Sequence, residues 1–292
     1  MTKKRALFIF LSDIKLHEIK VTSTITFLTK IPLKTTHKTV LVLVMAVAAL
    51  GLGCSKQKQA GQGLDANKYK DWITYTYENV KIIYPSSHPL ATNLEPMAKG
   101  YTEATRQICR YLTIDIPLDT LVIYYYTGFG QGREMTGREY PFADSSAIHF
   151  WIPSFYGPTL MQYLIPRWQD KEPKYSFLKH GLIALFDYSG QNYYQSTQGY
   201  LDKGNFLPLL MLASDTTVNS DTERHQSAEA ATFVDFVVYH FGVEGLNRLY
   251  TTKAPFEEAV TEIFKMPVDS LEGLWLDFVK QQVEAIDTTK AE

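Results

Sequence analysis

Read from residue 72 onward, the chain alternates first and turns helical later. Three early runs are rich in β-branched and aromatic residues: VKIIYP (80–85), LVIYYYTGF (121–129) and AIHFWIP (147–153). Each reads as a strand. In the third, Ala147, His149 and Trp151 alternate with Ile148, Phe150 and Ile152, so both faces are apolar or aromatic, as in a covered strand. Between the first two lies LATNLEPMAKGYTEATRQICRYL (90–112), where Leu94, Met97, Tyr101, Ala104, Ile108 and Leu112 recur at three and four residues. That spacing predicts a helix. TGFGQGREMTG (127–137) reads as a glycine-rich loop that fits neither phosphate-binding glycine pattern. After Pro158 the periodicity becomes helical, with helices predicted over 158–165, 173–187, 205–213, 226–241, 243–250, 255–264 and 268–284. Gly242 stands where a left-handed C-cap would end one helix before the next restarts. Asp269 or Ser270 is the expected N-cap of the last helix, ahead of the stripe Leu271, Leu274, Trp275 and Phe278. Strands followed by a run of helices predict an α+β fold, with a small N-terminal β-sheet half, one early helix and a mainly helical half.

The first quarter of the chain reads differently. VLVLVMAVAALGLG (40–53) is an uncharged apolar run, preceded by Lys34 and Lys38 and followed by Cys54. It is shorter than the ~18 residues that suggest a membrane span. Basic flank, short apolar core and small-residue exit make a secretory signal. With Cys54 next, the run resembles a bacterial lipobox, in which that cysteine is lipidated and becomes the mature N-terminus. Gly51 departs from the pattern, since it stands where leucine is usual. Residues 1–53 are therefore read as a signal region, with 1–38 explained by a mis-assigned start codon. Residues 54–70, beginning CSKQKQAGQGLDANK, are polar and read as a flexible tether. The domain is expected over 71–285, with a tail at 286–292.

Setting the signal region aside changes the charge. It holds eight Lys/Arg and two Asp/Glu, so of the chain's 29 basic and 31 acidic residues the remainder keeps 21 and 29, a formal charge of −8. An acidic domain without a basic cluster is unsuited to nucleic acid, because phosphate contacts need concentrated Lys and Arg. Cys109 is the only cysteine besides Cys54. Acylation of Cys54 would leave no internal disulfide and no cysteine-rich metal site.

Candidate chemistry is sparse. A helical zinc hydrolase carries HExxH, two imidazoles one turn apart with a glutamate that activates the metal-bound water. The motif is absent. The His-x-x-x-Glu spacings are His225/Glu229, which would share a helical face, and His240/Glu244, which straddles Gly242. The first reads as an exposed structural pair. No GxSxG elbow occurs, and Cys109 occupies an apolar helix position suited to packing. In FLKHGLIALFDYSG (177–190), His180 has Phe177, Ile183 and Ala184 as helical neighbours. It reads as a histidine satisfied within or beside the core.

The order of features carries a further reading. AATFVDFVVYHFGVEGLNRLY (230–250) and PFEEAVTEIFKMPVDSLEGLWLDFV (255–279), with Phe256, Ala259, Leu271 and Trp275 in register, resemble the later helices of the peptidase MA-like families of gluzincin zinc metallopeptidases. FLKHGLIALFDY (177–188) resembles the helix whose W-L-x-E-G-L-A-x-Y motif supplies the third zinc ligand, with His180 on the glutamate position. PTLMQYLIPRW (158–168) fills the place of the HExxH helix, with Met161 and Ile165 on the histidines and Gln162 on the general-base glutamate. The resemblance spans about 77–283 and implies a gluzincin-like fold. It also implies a degenerate site, because methionine and isoleucine do not bind zinc as imidazoles do and glutamine takes no proton from water. The window 154–168 contains no histidine or acidic residue. The expectation is thus a lipid-anchored, catalytically inactive metallopeptidase-like protein of the bacterial cell envelope that binds or assembles. It would have no zinc or other cofactor, and its partners would be the membrane, through the anchor, and a peptide or envelope protein. Its cleft, or filled core, would be floored by Met161, Gln162, Ile165 and His180 and edged by the strand of His149, where an extended peptide could add. The competing expectation is an active zinc hydrolase with relocated ligands: His149, His180 and the His225/Glu229 pair.

Overall fold

A computed structural model describes residues 69–88, 93–115, 121–151, 157–214 and 220–290, with the side chains of 220–225 and 289–290 left out. The signal region, Cys54 and the tether up to residue 68 lie outside the described residues.

Five strands form one mixed sheet: β1 (Trp72–Tyr77), β2 (Val80–Pro85), β3 (Leu121–Tyr125), β4 (Phe142–Ala143) and β5 (Ala147–Phe150), in the order β1-β2-β3-β5-β4. The outer pairs are antiparallel and the inner pairs β2/β3 and β3/β5 parallel. All three expected strands are present, although the second stops at Tyr125 and the third at Phe150. β1 and β4 are additional. β1 is WITYTY, whose alternation of apolar and hydroxyl residues suits an outer strand. It joins β2 through the two-residue turn Glu78–Asn79, with Glu78 at φ 46°.

Register decides which residues meet the core. Tyr75 lies opposite Ile82 and Tyr77 opposite Val80, and Ile82 in turn lies opposite Ile123. With Leu121, Tyr125, Ile148 and Phe150, these residues make one apolar face. Helix α1 (Leu94–Leu112) packs on this sheet, burying Leu94, Met97, Ala98, Tyr101, Ala104, Ile108 and Leu112. Each large side chain removed from water there contributes about 1.5–3 kcal/mol. The Tyr101 hydroxyl lies 3.2 Å from that of Tyr125, which links helix to sheet. The glycine-rich stretch corrects the loop expectation: Phe129–Thr136 is a helix, α2, ended by Gly137 in the left-handed conformation (φ 71°). Gly132 packs against the Trp151 ring so closely that a Cβ would lie 2.6 Å from it. Gly132 thus serves a contact, while Gly128 and Gly130 meet no neighbour.

The helical half comprises α3 (Gly157–Trp168), α4 (Ser176–Leu185), α5 (Tyr193–Asp202), α6 (Leu209–Ala213), α7 (Ser220–Thr251), α8 (Phe256–Phe264) and α9 (Val268–Lys290). α5 falls where no helix is expected. It is capped by Asn192, whose side chain accepts from the Gln195 amide. Gly242, at φ 71°, breaks α7 into two helices as its position predicts. The last helix opens one residue before its expected cap, so Asp269 sits in the first turn, where its charge favours the helix dipole. It runs to Lys290, so the expected tail from 286 is instead largely helix. Phe177, Phe233, Phe236, Trp275 and Phe278 join α4, α7 and α9 in one aromatic core. The chain is α+β, a five-stranded mixed sheet with a mostly helical half. No described helix is long and apolar enough to cross a membrane.

Candidate functional site

Three places hold the chemistry singled out above. The first is the junction of α3 and α4. Met161 and Ile165, one turn apart on α3, are 0 % and 3 % exposed and belong to the continuous hydrophobic core. Gln162 faces solvent. His180 also faces solvent, which corrects the expectation of a histidine packed in or beside the core. Its neighbours Phe177, Leu178, Gly181 and Leu182 turn inward, and the i, i+3, i+4 spacing leaves His180 and Lys179 on the outer side. Gly181 explains the local sequence. A Cβ there would lie 2.4 Å from the carbonyl oxygen of Ala230 and 2.9 Å from Val234 Cγ2, so only glycine lets α4 and α7 approach this closely. Met161, Gln162, Ile165 and His180 therefore do not line one cleft: two are core and two are surface. The donor set does not fit zinc, since one position offers a buried thioether, one no donor atom and one an exposed imidazole.

The second place is the other face of the sheet, around His149. This imidazole is 0 % exposed. Its strand register puts Tyr124 on one side and Phe142 on the other, and the three rings stack at 5.2 Å and 4.5 Å. Nδ1 lies 2.8 Å from the Tyr126 hydroxyl, which lies 3.1 Å from that of Tyr69. Nε2 lies 3.3 Å from Asp144 Oδ2, an ion-pair distance without an aligned hydrogen bond. Asp144 Oδ1 accepts from the amides of Ser146 and Ala147 and from the Ser146 hydroxyl, closing the tight link between β4 and β5. Burial pushes the Asp144 carboxyl up, but its contacts with His149, Ser146 and Ala147 outweigh this and hold it below the usual carboxylate range. Burial likewise raises the Tyr126 and Tyr69 phenols. The result is a hydrogen-bonded chain His149–Tyr126–Tyr69 across the sheet, with Asp144 beside the far nitrogen of His149. His149 is sealed from solvent, so it is placed to orient Tyr126, not to take a proton from a substrate. β5 is also not an edge, because β4 pairs along its outer side, which corrects the reading of His149 at a cleft rim. Tyr69, assigned by sequence to the tether, is packed between Trp72 and Tyr124.

The third place is inside the helical half. Glu229 on α7 is 0 % exposed, which corrects the reading of an exposed pair with His225, whose side chain lies outside the described residues. Oε1 accepts from the Leu207 amide at 2.8 Å, and Oε2 is buried without a hydrogen-bond partner. Burial raises its pKa to about 8, against the smaller lowering from the Leu207 amide. Two turns on, Asp235 accepts from the hydroxyls of Tyr111 (2.9 Å) and Tyr194, tying α1, α5 and α7 together. Burial raises its pKa and the two hydroxyls lower it. Desolvation first, and the Asp235 charge second, push both phenols well above their ordinary value.

Sequence reading left out Tyr126, Asp144, Tyr111, Tyr194 and Asp235. Only Asp144, in the turn-forming run Asp144–Ser145–Ser146, carries a local signal. The other contacts span 23 to 124 residues of chain. The described members of the relocated ligand set do not assemble: His149 is buried in the sheet, His180 faces solvent on α4, and Glu229 is buried in the bundle. Among the described residues, no group of three or more His, Cys, Asp or Glu is placed to hold a metal ion. Comparison with known protein families, with curated proteins and with solved structures finds no match to this chain.

Proposed function

We propose that the chain is a lipid-anchored, catalytically inactive peptidase-like protein of the bacterial cell envelope that acts by binding. The observation that carries this reading is the burial of Met161 and Ile165. On the gluzincin register they occupy the imidazole positions, and both are packed in an apolar core where neither metal nor water would have a polar partner. The partner is an extended peptide or an envelope protein. Because β5 is covered by β4, such a peptide would add to β1, the six-residue outer strand at the far side of the sheet. Two measurements test the proposal. Metal analysis of the purified full chain should find no stoichiometric zinc, and one zinc per chain overturns the inactive reading. Fractionation should place the protein in membranes, and release by Cys54→Ala, or arrest of its processing, tests the anchor.

A further inference from the structure

The outer side of β1 is built to be paired. β1 ends the sheet order, so among the described residues no strand lies beyond it, and its inner side is taken by β2. It runs six residues, WITYTY, with no proline, no charged side chain and no bulge in its register against β2. Proteins that keep an edge strand away from other chains use one of those devices, or make the strand very short. β4, at the opposite edge, has only two residues. Ile73 is 43 % exposed, although it shares the α1 side of the sheet with Tyr75 and Tyr77, which pack on the core.

The register shows which backbone groups point outward. In an antiparallel pair, opposite residues alternate between those that exchange two hydrogen bonds and those that exchange none. Pro85 has no N–H, so its pair with Trp72 is of the second kind. The Asn79 carbonyl accepts from the Leu121 amide, which turns Asn79 toward β3 and the next residue, Val80, toward Tyr77 on β1. Both observations give the same parity. Ile73, Tyr75 and Tyr77 bond to β2, while Trp72, Thr74 and Thr76 turn their N–H and C=O groups outward.

Resting on the strand-addition reading above, we infer that the segment added to β1 is β1 of a second copy of this chain, antiparallel about a two-fold axis through Thr74. An axis normal to the sheet keeps the α1 side of both copies together only when residues of like parity lie opposite. With the axis at Thr74, Thr74 meets Thr74, Trp72 meets Thr76, Ile73 meets Tyr75 and Lys70 meets Glu78. The Thr74 pair makes two hydrogen bonds and each Trp72–Thr76 pair two more, about six in all. An axis at Ile73 or Tyr75 leaves about four, and sets Lys70 opposite Thr76 or Glu78 opposite Trp72. The Thr74 axis alone brings opposite charges together at both ends of the pairing. Glu78 is already held there as an acceptor from Arg106 at 2.6 Å. Ile73 opposite Tyr75 is a β-branched–aromatic pair of the kind that stabilises adjacent strands, and it covers the exposed Ile73. An unrelated peptide would satisfy the outward backbone groups but supply neither complement.

The test uses the full chain in detergent with Cys54→Ala, so that the buried Cys109 is the one native cysteine left. Thr74→Cys places two sulfurs across the axis on Cα atoms about 5.5 Å apart, within reach of a disulfide. Thr76→Cys places them roughly 14 Å apart. Under mild oxidation the first variant should give a covalent dimer and the second should not. Charge variants test the same contact without cross-linking. Thr74→Lys and Thr74→Glu each put like charges opposite one another, so each alone should sediment as a monomer, while their mixture should restore the dimer. Sedimentation of the Cys54→Ala chain as a monomer at the highest attainable concentration overturns the inference. So does a dimer that cross-links through position 76 and not 74, or one that Thr74→Lys leaves intact. A monomer leaves the inactive-peptidase reading to its zinc analysis, and one zinc per chain overturns that reading whether or not Thr74→Cys cross-links.

Discussion

Replacing Glu229 by glutamine should change how stability depends on pH, and the size of the change follows from where the carboxyl sits. In the folded chain Oε1 accepts one amide hydrogen bond and Oε2 has none, in a site closed to solvent. The folded pKa of about 8 stands against an ordinary value of 4.5. A carboxyl whose folded pKa is raised holds its proton in the folded state after the unfolded state has released it. Stability is therefore highest below pH 4.5 and falls as pH rises from 4.5 to 8, levelling off above. At 1.36 kcal/mol per unit, the loss is about 3 kcal/mol at pH 7 and about 4–5 kcal/mol above pH 9. Glutamine keeps the acceptor for Leu207 and resembles the protonated acid, so it removes this dependence. The assay is urea unfolding of both proteins between pH 4.5 and 9, read as the difference in unfolding free energy. The two should be nearly equal at pH 4.5, with the glutamine variant increasingly favoured above it. At pH 7 the gain corresponds to about 6–12 °C in melting temperature for a domain of this size. Parallel curves across the range would show that Glu229 is either ionised throughout or reached by water, and would refute the reasoning.

Four further outcomes follow from the structure. Gly181→Ala should destabilise by about 1–3 kcal/mol or more, because the methyl group would meet backbone atoms of Ala230 that cannot yield without moving α7. The adjacent His180→Ala, at the surface, should change stability by less than about 0.5 kcal/mol, and thermal melting of the pair compares them directly. Tyr194→Phe leaves the buried Asp235 carboxylate with the Tyr111 hydroxyl alone, and should cost about 1–3 kcal/mol in chemical denaturation. Stability lost by Asp144→Asn should be fully present above the ordinary carboxylate pKa, decline below it and vanish only as pH falls through the lower folded value, because the contacts that hold this carboxyl low act on its charged form; acid titration of both proteins checks this.

Much of the framework is legible along the chain because it depends on local pattern. The 3.6-residue recurrence of Leu94, Met97, Tyr101 and Ile108 determines both α1 and the face it buries. Gly242 marks the break in α7 because only a residue tolerant of φ 71° can stand there. The α+β class follows from strands preceding helices. Local pattern misleads where a residue serves a contact distant in sequence. The glycines of Phe129–Thr136 suggest a loop, yet the segment is helical, and Gly132 is small because the Trp151 ring occupies the space a side chain would need.

The candidate site divides in the same way. The order of residues by itself shows that HExxH is absent, and two cysteines are too few for a scaffold of several disulfides. Whether a given histidine or glutamate is usable is a matter of burial and partners, which periodicity alone does not specify. His180, beside an invitation to chemistry in sequence, points to water, while the glycine after it sets the helix spacing. His149 and Glu229 are sealed, one by cross-strand rings and one inside the helical bundle. Tyr126, Tyr111 and Asp235 acquire roles through partners 23 to 124 residues away. Elements arise from interactions between near neighbours and are written in the sequence; solvent access and hydrogen-bond partners arise from how those elements pack, and only the tertiary structure decides them.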